Sequence, residues 1–423
     1  MINRDRYLNQ IKTYMWDGQV KVITGIRRSG KSVLLFELFK NYLLQTGVSE
    51  EDIIAIALDK RKDIKYRNPI KLYDYVEKQV IDNKKKYYLF IDEIQFCKAV
   101  EDSEADGELV TVYDILNELK DYKNLDIYVT GSNSKMLSKD IVTQFRGRSS
   151  QIHINPFSFK EYFEASGKDK RDAFDEYMLY GGMPYMIQLK TDKQKKDYLD
   201  NLFKEVYIKD IVEREKIERE DILSEVLDYL SSSISSLTNP TNITNAINSI
   251  KKDHVSPNTV KSYLDFLIDA FLISEAKRYD LKGKKYFEYP NKYYYVDIGL
   301  RNARVNFRQF DSGHIMENII YNELIARGYS VDVGVVVDRR NGQKVQKEID
   351  FIVNSADKRV YIQSAYEMHT ENKVNSELDS LLLSKDFFKK IVIRSDIPHT
   401  FTDENGIVHQ NIIDFLLSDE DIL

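Results

Sequence analysis

The sequence predicts an α/β protein that begins with a doubly wound parallel sheet and ends in a further α/β domain. Two observations lead to this fold class. Short apolar, β-branched runs alternate with helix-like segments up to about residue 155, which is the pattern of parallel strands joined by crossover helices. Three more strand-like runs, at 330–337, 347–353 and 359–366, follow a long helical region.

Composition limits the class of protein. The 423 residues suggest about two to four domains, and 42% apolar residues are ample for buried cores. A net charge of −6 excludes a wholly basic nucleic-acid coat protein but leaves room for a local basic patch. The single cysteine, Cys97, excludes an internal disulfide. Since no apolar signal core opens the chain and no apolar run approaches the ~20 residues of a membrane span, we expect a cytoplasmic protein without a membrane partner.

The stretch from residue 20 to residue 44 predicts a phosphate-binding loop. Its GIRRSGKS segment fits the pattern G-x-x-x-x-G-K-[ST] at every fixed position, between a strand-like run and a helix-like segment. Gly25 and Gly30 allow backbone N–H groups to turn toward phosphate oxygens, and the helix N-terminus adds the positive end of its dipole. The predicted ligand is ATP, with Lys31 at its β- and γ-phosphates and the Ser32 hydroxyl on Mg²⁺. The candidate nucleotide-binding residues are Gly25, Ile26, Arg27, Arg28, Ser29, Gly30, Lys31, Ser32 and Val33.

Two acidic residues follow the buried strand-like run YYLFI. An apolar strand that ends in two acids is the Walker B pattern, in which Asp92 holds Mg²⁺ and Glu93 orients and deprotonates the attacking water. Acidic residues also occur at strand ends and helix starts without such a role, but their place downstream of a phosphate loop favours the functional interpretation. The candidate catalytic residues are therefore Glu93 and Lys31, and the candidate metal ligands are Asp92 and Ser32.

Polar residues at two later positions are candidates for contact with the γ-phosphate. Ser132 and Asn133 follow the strand-like run DIYVT, where a γ-phosphate sensor is expected, and a turn that caps the next helix is compatible with that role. Arg146 and Arg148 end the following helix-like segment, where some ATPases carry an arginine finger that acts across a subunit boundary. Compensation of the helix dipole explains these arginines equally well.

The segment before the first strand, residues 2–16, predicts a short amphipathic helix. Arg6 and Tyr7 are candidates for contact with the adenine, because a leading segment lies near the adenine in many ATPases. A packing role is the favoured interpretation for this segment.

Residues 160–222 predict a helical lid. Gly181, Gly182 and Pro184 interrupt its helical pattern sharply, which indicates a fixed turn. Gly182 and Pro184 are candidate nucleotide-binding residues in this turn.

Residues 223–305 predict a winged-helix domain, because helix-like segments precede two strand-like runs that form a hairpin. Lys282, Lys284 and Lys285 at the hairpin tip are candidates for contact with DNA phosphates. Residues 251–292 hold nine Lys and Arg against six Asp and Glu, which is a weak surplus of positive charge. Contact with DNA is therefore less favoured than a protein-contact role.

Seven short motifs together resemble a known family. They are GIRRSGK, LFIDEIQ, VTGSNSKML, RGR, NPFSFKEY, YGGMPY and VYIKDIVER. The chain resembles prokaryotic AAA-like P-loop ATPases with a GxRRxGK loop, which are akin to the archaeal-ATPase and STAND-like groups and end in a region of unknown function. The resemblance implies ATP binding, Mg²⁺-dependent hydrolysis and a lid role for Gly181, Gly182 and Pro184.

The last part of the chain, residues 306–423, resembles the restriction-endonuclease-like fold. A helix with Glu317 and a strand-like run with Asp350 match the Glu and Asp that bind Mg²⁺ in that fold. The next strand departs from the pattern, because Gln363 stands in place of the Glu and Ala365 in place of the Lys. We therefore expect an inactive or specialised nuclease-like domain.

Two neighbouring residues are conceivable substitutes for the missing groups. We expect Glu348 to lie on the strand face opposite Asp350, and Lys347 to point away from the site. Neither residue would then restore a nuclease site.

The predicted parts are a P-loop ATPase domain (1–159), a helical lid (160–222), a winged-helix domain (223–305) and a nuclease-like domain (306–423). The expected function is Mg²⁺-dependent ATP hydrolysis that acts as a conformational switch for the C-terminal modules. Two alternatives stay open, an ATP-gated DNA-processing nuclease and an ATP-dependent DNA-binding regulator. The expected partner is ATP. DNA, through the winged helix, is a less favoured candidate partner, and a second copy of the chain or another protein is a further candidate.

Overall fold

The structure is a computed structural model that describes residues 2, 4–102, 107–132, 149–250, 254–281, 283, 285–340, 343–355, 358–368 and 371–423. The chain forms two compact units. The first comprises Met1–Asn155 and Asp269–Phe271, and the second comprises Pro156–Ile268 and Leu272–Leu423. Among the described helices, none has both the length and the apolar character needed to cross a membrane.

A five-stranded parallel sheet forms the centre of the first unit. The described strands of this unit are β1 (Val20–Thr24), β2 (Ile53–Ala57), β3 (Tyr87–Asp92), β4 (Val100–Asp102), β5 (Glu108–Val110), β6 (Leu125–Gly131) and β7 (Ser149–His153). The central sheet has the order β2-β3-β6-β1-β7 with all neighbouring pairs parallel, and β4 and β5 form a separate antiparallel hairpin. The prediction of a doubly wound parallel sheet is therefore confirmed, and β6 lies between β1 and β3.

Helices cover both faces of this sheet. They are α1 (Asp5–Thr13), α2 (31–45), α3 (Pro69–Gln79) and α4 (Val112–Leu119), with 3₁₀ turns at Glu50–Asp52, Arg61–Arg67 and Ile94–Phe96. The Asn68 side chain caps α3 ahead of a proline in its first turn, and Thr111 and Asp114 form a capping box at α4. These caps fix where the helices begin.

Neighbouring residues of a strand belong to two different apolar layers. Val22 packs in the layer that contains α3 and α4, whereas Ile23 packs in the layer that contains α1 and α2. Both faces of the sheet are thus buried, as is usual for parallel sheets. Lys21, in the same strand, is fully buried and pairs with Asp17 and Asp126, so its charge is compensated.

The second unit begins with helices and continues into a sheet with further helices. The described helices are α5 (Phe159–Ser166), α6 (Lys170–Tyr180), α7 (192–215), α8 (Glu220–Ser232), α9 (Pro240–Ile250), α10 (Pro257–Asp269), α11 (Ile298–Arg304), α12 (Ser312–Ala326), α13 (Glu371–Leu382) and α14 (Ile412–Leu417). A 3₁₀ turn at Pro184–Gln188 separates α6 from α7. The predicted interruption of the helical region is therefore present.

An eight-stranded mixed sheet forms the rest of the second unit. Its strands are β8 (Ile273–Asp280), β9 (Lys285–Tyr295), β10 (Ser330–Arg340), β11 (Gln343–Ser355), β12 (Lys358–Ala365), β13 (Lys389–Arg394), β14 (Phe401–Thr402) and β15 (Val408–Asn411). They lie in the order β14-β15-β13-β12-β11-β10-β8-β9. The three strand-like runs predicted near the end of the chain are β10, β11 and β12.

The hairpin predicted as a wing is part of this larger sheet. β8 and β9 pair antiparallel, and residues 278–280 of β8 also pair in parallel with residues 333–335 of β10. The sheet therefore runs across the predicted boundary between residues 305 and 306. A physical reason is that an unpaired strand edge leaves N–H and C=O groups without partners, and β10 satisfies one edge of the hairpin. The tip residues Lys282 and Lys284 lie outside the described residues, and the winged-helix assignment stays a prediction.

Candidate nucleotide-binding site

The phosphate loop and the two acids lie at one edge of the first unit's sheet. Residues 25–32 follow β1, Asp92 ends β3 with Glu93 directly after it, and Ser132 follows β6. Because β1, β3 and β6 are parallel, their carboxyl ends meet at the same edge. The fold thus brings together candidate residues that are far apart in the sequence.

The backbone of the phosphate loop depends on its glycines. Gly25 has a φ of 145° and Gly30 has a φ of 98°, both in the region that favours glycine. A Cβ atom on Gly25 would lie 2.1 Å from the carbonyl oxygen of Ile154, so no larger residue fits without a backbone shift. Arg28 also has a positive φ, 64°, which is strained for a residue with a side chain. The loop is therefore held in one specific conformation.

Lys31 is held by the carbonyl groups of its own loop. Its Nζ donates hydrogen bonds to Gly25 O (2.9 Å) and Ile26 O (3.0 Å), and the residue is buried. Burial lowers the pKa of Lys31 to about 8, although Glu93 and Asp92 act to raise it. A phosphate in the loop would supply the negative partner that a buried ammonium group needs.

Ser32, Asp92 and Thr130 form a cluster of hydroxyl and carboxylate groups beside the loop. Ser32 Oγ donates a hydrogen bond of 3.1 Å to Asp92 Oδ1, and Thr130 Oγ1 donates to the same oxygen. Burial raises the pKa of Asp92, and the hydroxyl hydrogen bonds oppose this change. Carboxylate and hydroxyl oxygens are the hard donors that Mg²⁺ prefers, so Ser32 and Asp92 fit the predicted metal.

Glu93 sits in a strained backbone conformation beside this cluster. Its φ of 54° is in the left-handed region, and its N–H donates a hydrogen bond of 3.0 Å to Thr130 Oγ1. Its carboxylate accepts hydrogen bonds from Gln95 Nε2 and, at 3.4 Å, from Ser132 Oγ. The backbone contact and the side-chain contacts together orient the carboxylate at the sheet edge.

The remaining predicted loop residues differ in exposure. Ile26 and Ser29 are buried, Arg27 is half-buried, and Arg28 and Val33 are exposed. Among the described residues, Ser29 Oγ has no hydrogen-bond partner although it is buried. A buried hydroxyl without a partner is costly, so the loop retains an unused donor.

Three predicted site residues, Asn133, Arg146 and Arg148, lie outside the described residues. Their roles as γ-phosphate sensor and arginine finger stay predictions. The helix-like segment that was predicted between them lies in the same gap, 133–148.

Two further residues, Thr130 and Gln95, belong to this site although they are not among the residues predicted from the sequence. Thr130 lies next to the end of β6, and a signal existed, because the ends of neighbouring parallel strands lie side by side. Gln95 Nε2 donates to the Glu93 carboxylate and, at 3.3 Å, to Ser132 Oγ. Gln95 is the last residue of the LFIDEIQ motif, but the sequence does not show that it meets Glu93, since its position depends on the 3₁₀ turn at Ile94–Phe96.

A third missed residue, Arg4, braces the loop from the N-terminal segment. Its Nη1 donates a hydrogen bond of 2.8 Å to Ser29 O, and its Nη2 donates one of 2.8 Å to Asn155 O. The residue is buried. The residues of this segment that the sequence offers as candidates for contact with the adenine are Arg6 and Tyr7. Tyr7 is also buried and its hydroxyl accepts the Asn155 N–H at 3.2 Å, as a packing role requires.

The turn after α6 is tightly packed within the second unit. The Gly182 N–H donates to the Asp297 carboxylate (2.7 Å), and the Gly182 carbonyl accepts the Phe157 N–H (2.8 Å). Burial raises the pKa of Asp297 to about 6. A Cβ atom on Gly182 would lie 2.1 Å from Phe157 O, and one on Gly181 would lie 2.3 Å from Asp297 Oδ1. Packing accounts for both glycines, and the nucleotide-binding role of Gly182 and Pro184 stays a prediction.

The acidic residues of the predicted nuclease-like site converge on a lysine. Lys292 Nζ lies 2.7 Å from Glu317 Oε1, 2.7 Å from Glu348 Oε1 and 3.1 Å from Asp350 Oδ1. The expectation that Glu348 and Asp350 lie on opposite strand faces was wrong. Residues two apart in a strand point to the same face, and both carboxylates meet one ammonium group.

The other positions of the nuclease pattern hold neutral or distant groups. Gln363 Nε2 donates a hydrogen bond of 2.9 Å to Glu377, and Ala365 is buried in an apolar cluster. Lys347 lies 4.0 Å from Asp379, away from the acidic cluster as expected. Within the described part of the chain, no group of three or more His, Cys, Asp or Glu side chains is placed to hold a metal ion.

The parallel sheet, the phosphate loop after β1 and the two acids after β3 define a P-loop ATPase domain of the AAA class. A family model described as an AAA domain matches residues 17–163. Two further models, each described as a domain of unknown function, match residues 171–311 and 312–408.

Relatives match along almost the whole chain. An uncharacterized protein of Haemophilus influenzae is 34% identical over 422 residues, which is 99% of each chain. The chain belongs to the same family as this protein, a family of AAA-like P-loop ATPases. An uncharacterized protein of Methanocaldococcus jannaschii is 27% identical over 393 residues, covering 88% of this chain and 79% of the relative.

Some solved structures also match, with low scores. CDC6P from Pyrobaculum aerophilum is 12% identical with a TM-score of 0.30, covering 75% of this chain and 94% of that chain. The AMPPCP-bound DnaA from Aquifex aeolicus is 16% identical with a TM-score of 0.26, covering 63% of this chain and 88% of that chain. Scores this low do not establish a common arrangement, so the binding of AMPPCP is a property of that DnaA alone.

Proposed function

We propose that this chain binds ATP at the phosphate loop, hydrolyses it with Mg²⁺, and uses the hydrolysis cycle as a conformational switch for its second unit. The observation that supports this function best is the hydrogen bond of 3.1 Å between Ser32 Oγ and Asp92 Oδ1. It brings the two candidate metal ligands together, directly beside Lys31 and Glu93. Membership of a family with an AAA domain supports the same activity.

Each residue has its own task in the proposed reaction. Lys31 leaves the carbonyl oxygens of its loop and neutralises the β- and γ-phosphates. Glu93, held by Ser132 and Gln95, accepts the proton of the attacking water. Mg²⁺, held by Ser32 and Asp92, would neutralise charge on the phosphate oxygens when bound.

Steady-state ATP turnover tests the hydrolysis. Glu93→Gln is expected to bind ATP as the wild type does but to lose at least about a hundredfold in turnover, because only proton acceptance is removed. Lys31→Ala is expected to lose ATP binding itself. Glu51→Gln, an exposed glutamate in the same unit, is the matched control and should behave as wild type. Equal turnover by wild type and Glu93→Gln would overturn the assignment.

The switch is supported by how the chain leaves the first unit. The carbonyl oxygen of Ile154 lies so close to Gly25 that no side chain fits at that position. The carbonyl oxygen of Asn155 accepts a hydrogen bond from Arg4. The second unit begins at the next residue, Pro156. A change of loop conformation on nucleotide binding would therefore act directly on the backbone that connects the units.

Hydrogen exchange tests the switch separately from hydrolysis. The backbone amides of residues 156–184 are expected to exchange at different rates in Glu93→Gln with ATP and in the same protein with ADP. Lys31→Ala should show no such difference. Identical exchange in the second unit with ATP, with ADP and without nucleotide would overturn the switch and leave the hydrolysis intact.

The two alternative functions have less support. The lysine within the acidic cluster counts against a DNA-processing nuclease.

A DNA-binding regulator would need a surface that attracts phosphates. The cavity between α10 and the β8–β9 hairpin has charged lining residues of both signs, which is a poor surface for a phosphate backbone. These charged residues are Lys261, Asp265, Glu275, Lys277 and Asp332. The DNA-binding regulator would instead be favoured if the chain bound duplex DNA in a salt-dependent way and if Lys261→Ala and Lys277→Ala weakened this binding.

A further inference from the structure

The acidic cluster of the second unit is filled by a side chain of the same chain. Lys292 comes from β9, Glu317 from α12, and Glu348 and Asp350 from β11. A lysine ammonium group has three N–H donors, and three carboxylates lie 2.7, 2.7 and 3.1 Å from its Nζ. Nζ donates hydrogen bonds to Glu317 Oε1 and Asp350 Oδ1, and it forms an ion pair with Glu348.

Three of the four members of the cluster are shielded from water, whereas the Glu348 side chain is 32% exposed, and further donors support the cluster. Lys292 is 3% exposed, Glu317 8% and Asp350 6%. The Tyr294 hydroxyl donates a hydrogen bond of 2.7 Å to Glu317, and the Ser364 N–H donates one of 2.9 Å to Asp350. Burial alone would lower the pKa of Lys292, but the carboxylates raise it well above its ordinary value, so the side chain stays charged.

The metal that a nuclease-like fold implies does not fit beside this ammonium group. A divalent cation binds carboxylate oxygens at about 2.0 to 2.6 Å and would have to share the same oxygens with Nζ. Two cations at such a distance repel strongly in a buried site. The carboxylates have the chemistry of a metal site, but the chain itself supplies the cation.

We propose that Lys292 is a built-in cation that takes the place of a divalent metal in the second unit. With Lys292 present, the unit holds no metal at this cluster and cleaves no phosphodiester bond. As placed around Lys292, these side chains form no metal site in the described part of the chain. Without the ammonium group, Glu317, Glu348 and Asp350 become free to turn toward a divalent cation.

Metal titration of the full chain tests this proposal. All proteins carry Asp92→Asn, which removes a candidate ligand in the first unit, and no nucleotide is added. The probe is Tb³⁺, whose luminescence is excited through nearby tyrosine, and Tyr294 touches Glu317. Lys292→Met is expected to bind Tb³⁺ at least tenfold more tightly than the chain with Lys292. Lys292→Arg keeps the charge and should show no gain, and adding Asp350→Asn to Lys292→Met should abolish the gain.

Thermal unfolding gives a second readout, because Lys292→Met leaves three carboxylates without their cation and is expected to be less stable. Mn²⁺ should raise the unfolding temperature of Lys292→Met but not that of the chain with Lys292. Metal binding that depends on Asp350 in the chain with Lys292 would overturn the proposal. A Lys292→Met protein that neither gains Tb³⁺ binding nor responds to Mn²⁺ would overturn it as well.

Discussion

The guanidinium group of Arg4 donates a hydrogen bond of 2.8 Å to the carbonyl oxygen of Ser29, in the middle of the phosphate loop. The same group also donates a hydrogen bond of 2.8 Å to the carbonyl oxygen of Asn155, at the end of the first unit. A residue outside the loop motif thus holds the loop and the exit of the chain together. This bridge makes Arg4 a positioning residue for the proposed nucleotide site.

Removal of the bridge is expected to weaken the first unit. Arg4→Met leaves two backbone carbonyls without their donor, which typically costs about 1–3 kcal/mol of unfolding free energy. The loop should also bind ATP more weakly, because its conformation is no longer braced. Urea unfolding and ATP titration measure the two effects. Arg61→Met, at an exposed arginine of the same unit, is the control, and an equal effect of both variants would contradict the positioning role.

ATP binding is expected to take up a proton above pH 8. Burial lowers the pKa of the free Lys31 to about 8, and bound phosphates favour its charged form. The pKa in the complex is therefore higher, and the affinity for ATP falls as the pH rises above about 8. Calorimetry at about pH 8.5 in two buffers of different ionisation enthalpy measures the uptake. Lys31→Arg, which stays protonated, is the control, and equal proton counts for both proteins would refute this prediction.

The hydroxyl of Thr130 is expected to matter for turnover more than its methyl group. Thr130→Val removes a donor to Asp92 and the acceptor of the Glu93 N–H. A drop of about tenfold or more in kcat is expected, since each lost contact changes the orientation of a candidate catalytic or metal-binding carboxylate. Thr130→Ser keeps the hydroxyl and should restore most of the activity. Equal kcat values for the two variants would show that the hydroxyl is not needed.

Gly182→Ala tests close packing in the second unit. The added Cβ atom would lie 2.1 Å from Phe157 O, so the backbone must shift, and a loss of about 3 kcal/mol or more of stability is expected. Gly313→Ala is the matched control, because the nearest atom would lie 3.5 Å away, at ordinary contact distance. Thermal unfolding compares the two. Similar unfolding temperatures would show that the turn can relax and that packing does not explain Gly182.

The arginine finger is expected to show in mixtures of inactive proteins. Arg148→Ala and Lys31→Ala should each lose turnover, and mixing them should partly restore it, because one intact composite site can form between subunits. Arg146→Ala is tested in the same way. If neither mixture recovers activity and the protein stays monomeric with ATP, both arginines act within one chain or compensate a helix dipole.

Much of the first unit was predictable from local sequence. The phosphate loop needs glycines at fixed spacing, and buried parallel strands read as apolar runs that end in functional residues. The structure brings Lys31, Ser32, Asp92 and Glu93 close together, and their catalytic and metal-binding roles stay predictions. Thr130 could have been found by the same reasoning, because it lies at the carboxyl end of a neighbouring strand. The strand face on which Glu348 lies was predictable too, because residues two apart in a strand point to the same face. The prediction that Glu348 lies on the face opposite Asp350 was wrong.

Hydrophobic periodicity and short motifs predict the α/β class, the parallel sheet, the phosphate loop and the two acids after β3, because these signals act over short stretches of chain. Long-range packing is what brings Arg4 to the loop, joins the predicted wing to an eight-stranded sheet and places Lys292 in the acidic cluster. Arg4 and Asn155 lie 151 residues apart, and Lys292 and Asp350 lie 58 apart. No local pattern encodes such contacts, since they depend on how whole elements pack and on where a buried charge finds its partner.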